Sequence, residues 1–249
     1  MNARTIEVSG VSEGWVGACA TLLDCPHHET THLVTRMLHP LPENPAIRAR
    51  VDALLRAAGH QDVQEVANTI FPAALAEDYP EPSELAACYL EDYEVLRRLG
   101  SLQGTYFGRI CSYPNPGASG TSQLAETVTK LRAAREGRRW RARYQINIYA
   151  GEKDISKQMG FPCMAHLAFQ LGGDGKYPER LDCLALYRNQ DMIRKGYGNL
   201  LGLAQLQSYV ATATGFQAGE LTVIAGHADM TLDKHSRSFL QRLIGREGG

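Results

Sequence analysis

A cysteine directly after a proline stands in the stretch GFPCMAHLAFQL, residues 160–171, and apolar sequence follows it. Sulfur attacks as the thiolate, which nearby positive charge favours. Two arginine-rich stretches flank Cys163. REGRRWRAR carries Arg135, Arg138, Arg139, Arg141 and Arg143, and YRNQDMIRKGYGN carries Arg188, Arg194 and Lys195. Guanidinium forks also donate bidentately to phosphate. A thiolate beside a phosphate clamp points to a phosphorylated substrate attacked by sulfur. Each part has a plainer reading when taken alone. A cysteine in an apolar run is usually a buried structural residue. An arginine run is usually a solvated face. Asn199, opening a helix, is usually an N-cap, and Glu65 in mid-helix a surface carboxylate.

The elements that must hold these groups follow from periodicity and punctuation. The first 40 residues read as rich in strand and loop. NPAIRARVDALLRAAG reads as a helix, with Asn44 as its cap, Pro45 in its first turn and Gly59 closing it. QDVQEVANTIF reads as a second helix ended at Pro72. EPSELAACYLEDYEVLRRLG reads as a third, with Ser83 as its cap and Gly100 as its stop. SQLAETVTKLRAAREG places Leu124, Val128 and Leu131 at helical spacing. WRARYQINIY, CMAHLAFQL and RLDCLALYRN read as strands, the last two joined by a turn that includes Gly172, Gly173 and Gly175. GNLLGLAQLQSYVATATG reads as a buried helix ending at Gly215, and ELTVIAGHAD as a last strand. Helices and strands mix without regular βαβ alternation, so the fold class is α+β, in a single domain over 1–249.

Bulk properties narrow the function classes. There are 26 basic and 27 acidic residues, a formal net charge of −1. That excludes a global basic field for nucleic acid or anionic membrane. No apolar run is long enough to span a bilayer, and MNARTIEVSG lacks a signal-peptide pattern. The six cysteines are scattered with no C-x-x-C pair. Together these features read as a cytoplasmic chain with reduced thiols and no zinc knuckle. His27, His28 and His32 read as a loop and not a metal site.

Taken in order, the pieces resemble thymidylate synthase and its pyrimidine-nucleotide hydroxymethylase relatives. Arg138–Arg139 come first, then Pro162–Cys163. YRNQDMIRKGYGN then stands where the family has Q-R-S-x-D-x-x-L-G-x-P-F-N. LLGLAQLQSYVATATGFQAGELTVIAG is similar to the family's long helix and following strand, GSLQGTYFGR to its G-x-x-Y-G-x-Q-W-R stretch, and DVQEVANTIF to the helix with its catalytic glutamate. The resemblance implies a thymidylate synthase-like α+β fold, with a mixed sheet, a long buried central helix and a homodimer joined sheet to sheet. It also implies a covalent adduct between Cys163 and C6 of a pyrimidine nucleotide, and C5 one-carbon transfer from 5,10-methylenetetrahydrofolate. Arg188 would lie by the sulfur and bind phosphate, Glu65 would organise proton transfers, and Tyr106 would sit beside the nucleophile. Asn199 would bond the base edge, and Asp191 would meet the pterin. Arg138 and Arg139 would grip phosphate in the other subunit's site.

The departures from the family pattern concern recognition. Met164 follows the cysteine where the family has histidine. Asn189 replaces a phosphate-binding serine, Lys195 a glycine and Gly198 a phenylalanine. Asp229 and Thr231 stand where a histidine and a tyrosine hold the sugar, with His227 nearby. Trp15 and Trp140 are the only tryptophans, and neither matches the folate wall. A carboxylate at Asp229 suits two ribose hydroxyls, and asparagine at 199 suits uracil over cytosine. With these departures the resemblance implies transfer of a hydroxymethyl or methyl group, in specialised rather than housekeeping metabolism. The competing readings are folate-independent C5 chemistry on a pyrimidine-like heterocycle and a catalytically silent nucleotide-binding homologue.

Overall fold

Alternating burial along the longest strand shows how the sheet is built. In Gln217–Asp229, Leu221, Val223 and Ala225 are buried while Thr222 and Ile224 are half-exposed, so one face packs and the other looks out. The computed structural model describes residues 4–100, 104–116, 120–137, 140, 142–173 and 179–245. Arg138 and Arg139 lie outside the described residues. The strands are β1 (Arg4–Val8), β2 (Glu29–Met37), β3 (Gln145–Asn147), β4 (Met164–Gly172), β5 (Arg180–Tyr187), β6 (Gln190–Asp191) and β7 (Gln217–Asp229). Six of them form the order β1-β2-β7-β5-β4-β3, and β6 pairs with β7. The pairings β1–β2, β5–β7 and β6–β7 are parallel and the others antiparallel, which makes the sheet mixed and the fold α+β. Register carries a buried row across it: Thr35, Val223, Ala185, Leu167 and Ile146.

The helix Tyr197–Thr214 lies against this face and is buried along most of its length. Its Gln207 is fully buried. The Gln207 amide donates to Leu181 O (2.8 Å) and Glu220 O (3.1 Å), beside the irregularity in the β5–β7 register at Leu181/Cys183. A buried amide is therefore matched to carbonyls that the ladder leaves over. The helix ends at Gly215, whose φ of 72° is the left-handed stop that glycine makes easily. On its other side, Gly198 and Gly202 admit the short helix Val63–Asn68. A Cβ on Gly198 would lie 2.5 Å from Val66 Cβ, and one on Gly202 2.7 Å from Ala67 O. This close approach brings Val66 and Thr69 to the wall of the site.

Capping follows the sequence at several ends. Asn44 Oδ1 accepts from Ala46 N and Ile47 N at the start of Pro45–Ala57, and Ser122 caps Gln123–Glu136. Three elements differ from expectation. A helix, Val11–Leu23, occupies part of the segment read as strand and loop. Its buried residues Val11, Trp15, Ala18 and Leu22 have helical spacing, but it starts at Gly10 with no side-chain cap to announce it. The third expected helix is two, Pro82–Glu91 and Tyr93–Gly100. Pro82 takes the first turn, so Ser83 lies inside the helix and is not its cap. The expected strand WRARYQINIY shortens to Gln145–Asn147. Among the described residues, no helix is long and apolar enough to cross a membrane.

Candidate active site

Cys163 sits where the chain enters β4, and the end of β5 is locked to it: Arg188 N donates to Cys163 O at 2.8 Å. That bond fixes where the Arg188 side chain begins. Its Nε donates to Pro162 O and its Nη2 to Phe161 O, both at 3.2 Å. The guanidinium lies 3.7 Å from the centre of the Phe161 ring. Two carbonyls and a stacked ring hold the planar group in place, with Nη2 3.9 Å from Cys163 Sγ.

The half-exposed sulfur opens onto a cavity of about 380 Å³, which Tyr106, Asn189, Asp191, Lys195 and Asn199 also line. Tyr106 is the first residue of the helix Tyr106–Cys111, which Thr105 Oγ1 caps by accepting from Gly108 N at 3.0 Å. Burial, and then the neighbouring Cys163, push the Tyr106 hydroxyl well above the usual phenol range. Its ring meets that of Tyr187 edge to face.

The segment from β5 to the buried helix carries most of the remaining groups. Asp191 closes β6, and its Oδ1 accepts from Ile193 N (3.1 Å) and Arg194 N (2.9 Å), which starts the wide π-helical turn Met192–Gly196. Trp15 supports that turn from the core, its Nε1 donating to Met192 O at 2.6 Å. Trp15 is therefore a structural prop. Trp140 is 46% exposed. Asn199 is 5% exposed and stands in the first turn of Tyr197–Thr214, not at its cap, which is Gly196. Among the described residues its amide has no hydrogen-bond partner, so both its donor and its acceptor are available to the cavity.

Asn189 links the cavity to a polar cluster behind it. Its Oδ1 is 2.6 Å from His227 Nδ1, and its amide donates to Asp229. Burial, and then Asp191, raise the Asp229 carboxyl above its ordinary value. Asp229 is not in the cavity wall. Thr231 lines a separate cavity of about 280 Å³, so the expected sugar-holding pair is divided.

Glu65 lies at the third position of Val63–Asn68 and is exposed. Its Oε2 accepts from Asp62 N (3.2 Å) while Asp62 Oδ1 accepts from Glu65 N (2.8 Å), a reciprocal capping box. The carboxylate therefore serves its own helix and is not in the cavity wall. The structure thus brings together Cys163, Tyr106, Arg188, Asn189, Asp191 and Asn199, and places Glu65 and Asp229 outside them.

Sequence reasoning did not assign Gln61, Gln190 and Arg109 to the wall. Arg109 forms an ion pair with Asp154 inside the protein. Gln190 is 4% exposed, and among the described residues its amide nitrogen has no partner. Its position between Asn189 and Asp191 was the available signal. Among the described residues, no three His, Cys, Asp or Glu side chains gather as a metal site would require.

A mixed sheet backed by a buried helix carries a cavity onto which Cys163 opens, with Arg188 beside the sulfur and Asn199 in the wall, and this is the candidate site of an α+β fold. The sequence model of a family described as "Thymidylate synthase" matches residues 78–247. Two curated relatives both carry the name "Putative thymidylate synthase". The one from Methanopyrus kandleri is 28% identical over 160 residues, covering 62% of this chain and 66% of that protein, just under two thirds of its length. The one from Methanothermobacter thermautotrophicus is 25% identical over 241 residues, covering 89% of this chain and 90% of that protein. The chain belongs to the thymidylate synthase family.

Proposed function

We propose that this chain, acting as one domain over 1–249, transfers a one-carbon unit to C5 of a pyrimidine nucleoside monophosphate in the cytoplasm. One observation carries the reading: Cys163 Sγ opens onto a cavity with a guanidinium 3.9 Å away and the unpartnered amide of Asn199 in the same wall. The Cys163 thiolate bonds to C6, and the C5–C6 π pair moves through C4 to O4, which makes C5 nucleophilic. After C5 has gained its substituent and lost its proton, the C6–Sγ bond breaks and the ring double bond returns.

Arg188 steadies negative charge at sulfur and phosphate, Tyr106 packs beside the nucleophile, and Asn199 bonds the base edge. Asn189 donates to the phosphate from the wall, and Asp229, behind Asn189, reaches the sugar hydroxyls once the side chains there shift. Glu65 handles protons once its carboxylate turns from Asp62 towards the cavity. The family generally uses 5,10-methylenetetrahydrofolate, and the wall fits the nitrogen-rich edge of a reduced pterin. Asp191 offers a carboxylate acceptor, and Gln190 a buried amide nitrogen with no partner among the described residues. When bound, the folate supplies the one-carbon unit.

A homodimer completes the site, with Arg138 and Arg139 reaching the partner's phosphate. The outward sheet face supports it. Val34, Ile224, Leu184 and the 39%-exposed Leu186 form a half-exposed apolar patch on adjacent strands.

Tritium release from C5-labelled uridylate and cytidylate, in ribo and deoxy forms, tests the reaction. Release that disappears in Cys163→Ala supports it. No release, or release that survives Cys163→Ala, sinks it. Dihydrofolate as co-product means a methyl product, and tetrahydrofolate means hydroxymethyl.

A further inference from the structure

Asp191, Lys195 and Asn199 recur every four residues, and all three line the cavity onto which Cys163 opens. Four-residue spacing through helical turns stacks side chains on one face. Here Asp191 caps the turn Met192–Gly196, Lys195 stands in it, and Asn199 follows in the first turn of the buried helix. Trp15 holds that turn from the core side, so the face with the three polar groups looks into the cavity.

Lys195 Nζ donates to the neutral amide oxygen of Gln61 at 2.5 Å, and among the described residues it joins no ion pair. Arg109, another cation in the wall, is tied to Asp154 and Ile148 O. Two ammonium N–H groups of Lys195 thus remain for a ligand. Burial holds the ammonium below the ordinary lysine range, although Asp191 and Glu65 pull the other way. An ammonium donates and never accepts, whereas the Asn199 amide does both and can turn either way.

We propose that Lys195 is the specificity-determining residue for a 4-oxo pyrimidine, donating to the ring's O4 beside the Asn199 amide. The proposal rests on the C5 transfer reading above. When the Cys163 Sγ–C6 bond forms and the π pair moves onto O4, the ammonium meets that charge. A 4-amino ring presents N–H groups at the same point, donor against donor.

The test is tritium release, with methylenetetrahydrofolate supplied, from C5-labelled uridine and cytidine monophosphates in ribo and deoxy forms. It compares the full chain with Lys195→Met and Lys195→Arg. The wild type should favour the 4-oxo ring. Lys195→Met should lower kcat/KM for that ring by about 10- to 100-fold, as for loss of a charged hydrogen bond. The 4-amino ring should change by less than about threefold, and Lys195→Arg should keep the preference. Equal losses on both rings, an unchanged ratio, or a wild-type preference for the 4-amino ring would overturn the assignment while leaving C5 transfer standing. No Cys163-dependent release from any ring would overturn both.

Discussion

Replacing Asp154 with asparagine should strand a charge in the wall of the cavity. The Arg109 side chain is 9% exposed and that of Asp154 0%. Asp154 accepts from Arg109 Nη1 at 2.5 Å, Arg109 Nη2 at 3.0 Å and Ala150 N at 2.9 Å. Burial alone would raise this carboxyl. The donations from Arg109 and Ala150, the Arg109 charge and Lys157 outweigh burial and pull it to about 2, from an ordinary 3.8. A folded-state pKa below the unfolded one means stability that is present above about pH 4 and lost as pH falls through 2, worth about 2 kcal/mol. Asp154→Asn keeps the side-chain shape but leaves the Arg109 cation unpaired, which costs about 3–5 kcal/mol. For a chain of this size that lowers Tm by roughly 10 °C. Thermal unfolding followed by circular dichroism between pH 2 and 7 reads both effects. The variant should lie well below wild type at pH 7, and the two curves should converge towards pH 2. A variant within about 2 °C of wild type at neutral pH, or curves that stay parallel throughout, would refute the argument.

Other expectations follow from packing and polarity. Gly198→Ala places a Cβ 2.5 Å from Val66 Cβ and 2.7 Å from Val63 O. The helix Val63–Asn68 must move, so urea unfolding should show a loss of about 1–3 kcal/mol and KM for the nucleotide should rise; an unchanged midpoint speaks against the close contact. Asn199→Asp replaces the amide with an acceptor-only group and should shift base preference towards a 4-amino pyrimidine, read by competition between the two nucleotides; an unshifted ratio removes Asn199 from the base edge. Asn44→Ala removes the acceptor for Ala46 N and Ile47 N and should cost about 1 kcal/mol, or a few degrees in Tm; no change would mean that Pro45 alone starts the helix.

The sequence carries what depends on neighbours along the chain. Asn44 and Ser122 cap helices because a short polar side chain reaches a backbone N–H two or three residues on. Gly215 stops a helix because its own φ allows it. The order of Cys163, Arg188, Asp191 and Asn199 was legible as a family pattern. The β4–β5 pair sets Arg188 beside Cys163, and the turn Met192–Gly196 leads from Asp191 to Asn199 in the helix that follows. Glu65 shows the limit of such reading: its helix was visible in sequence and resembles the family's glutamate helix, but Glu65 stands three residues after Asp62 and completes a capping box with it. Trp15 was invisible as a prop for the Met192–Gly196 turn, since the two are far apart in sequence. The Arg109–Asp154 pair, the close approach at Gly198 and Gly202, and the contact of Gln61 with Lys195 arise only when distant segments pack. Local preference is written residue by residue, whereas burial, and the charge pairing it forces, exists only once the sheet and its helix have closed around the core.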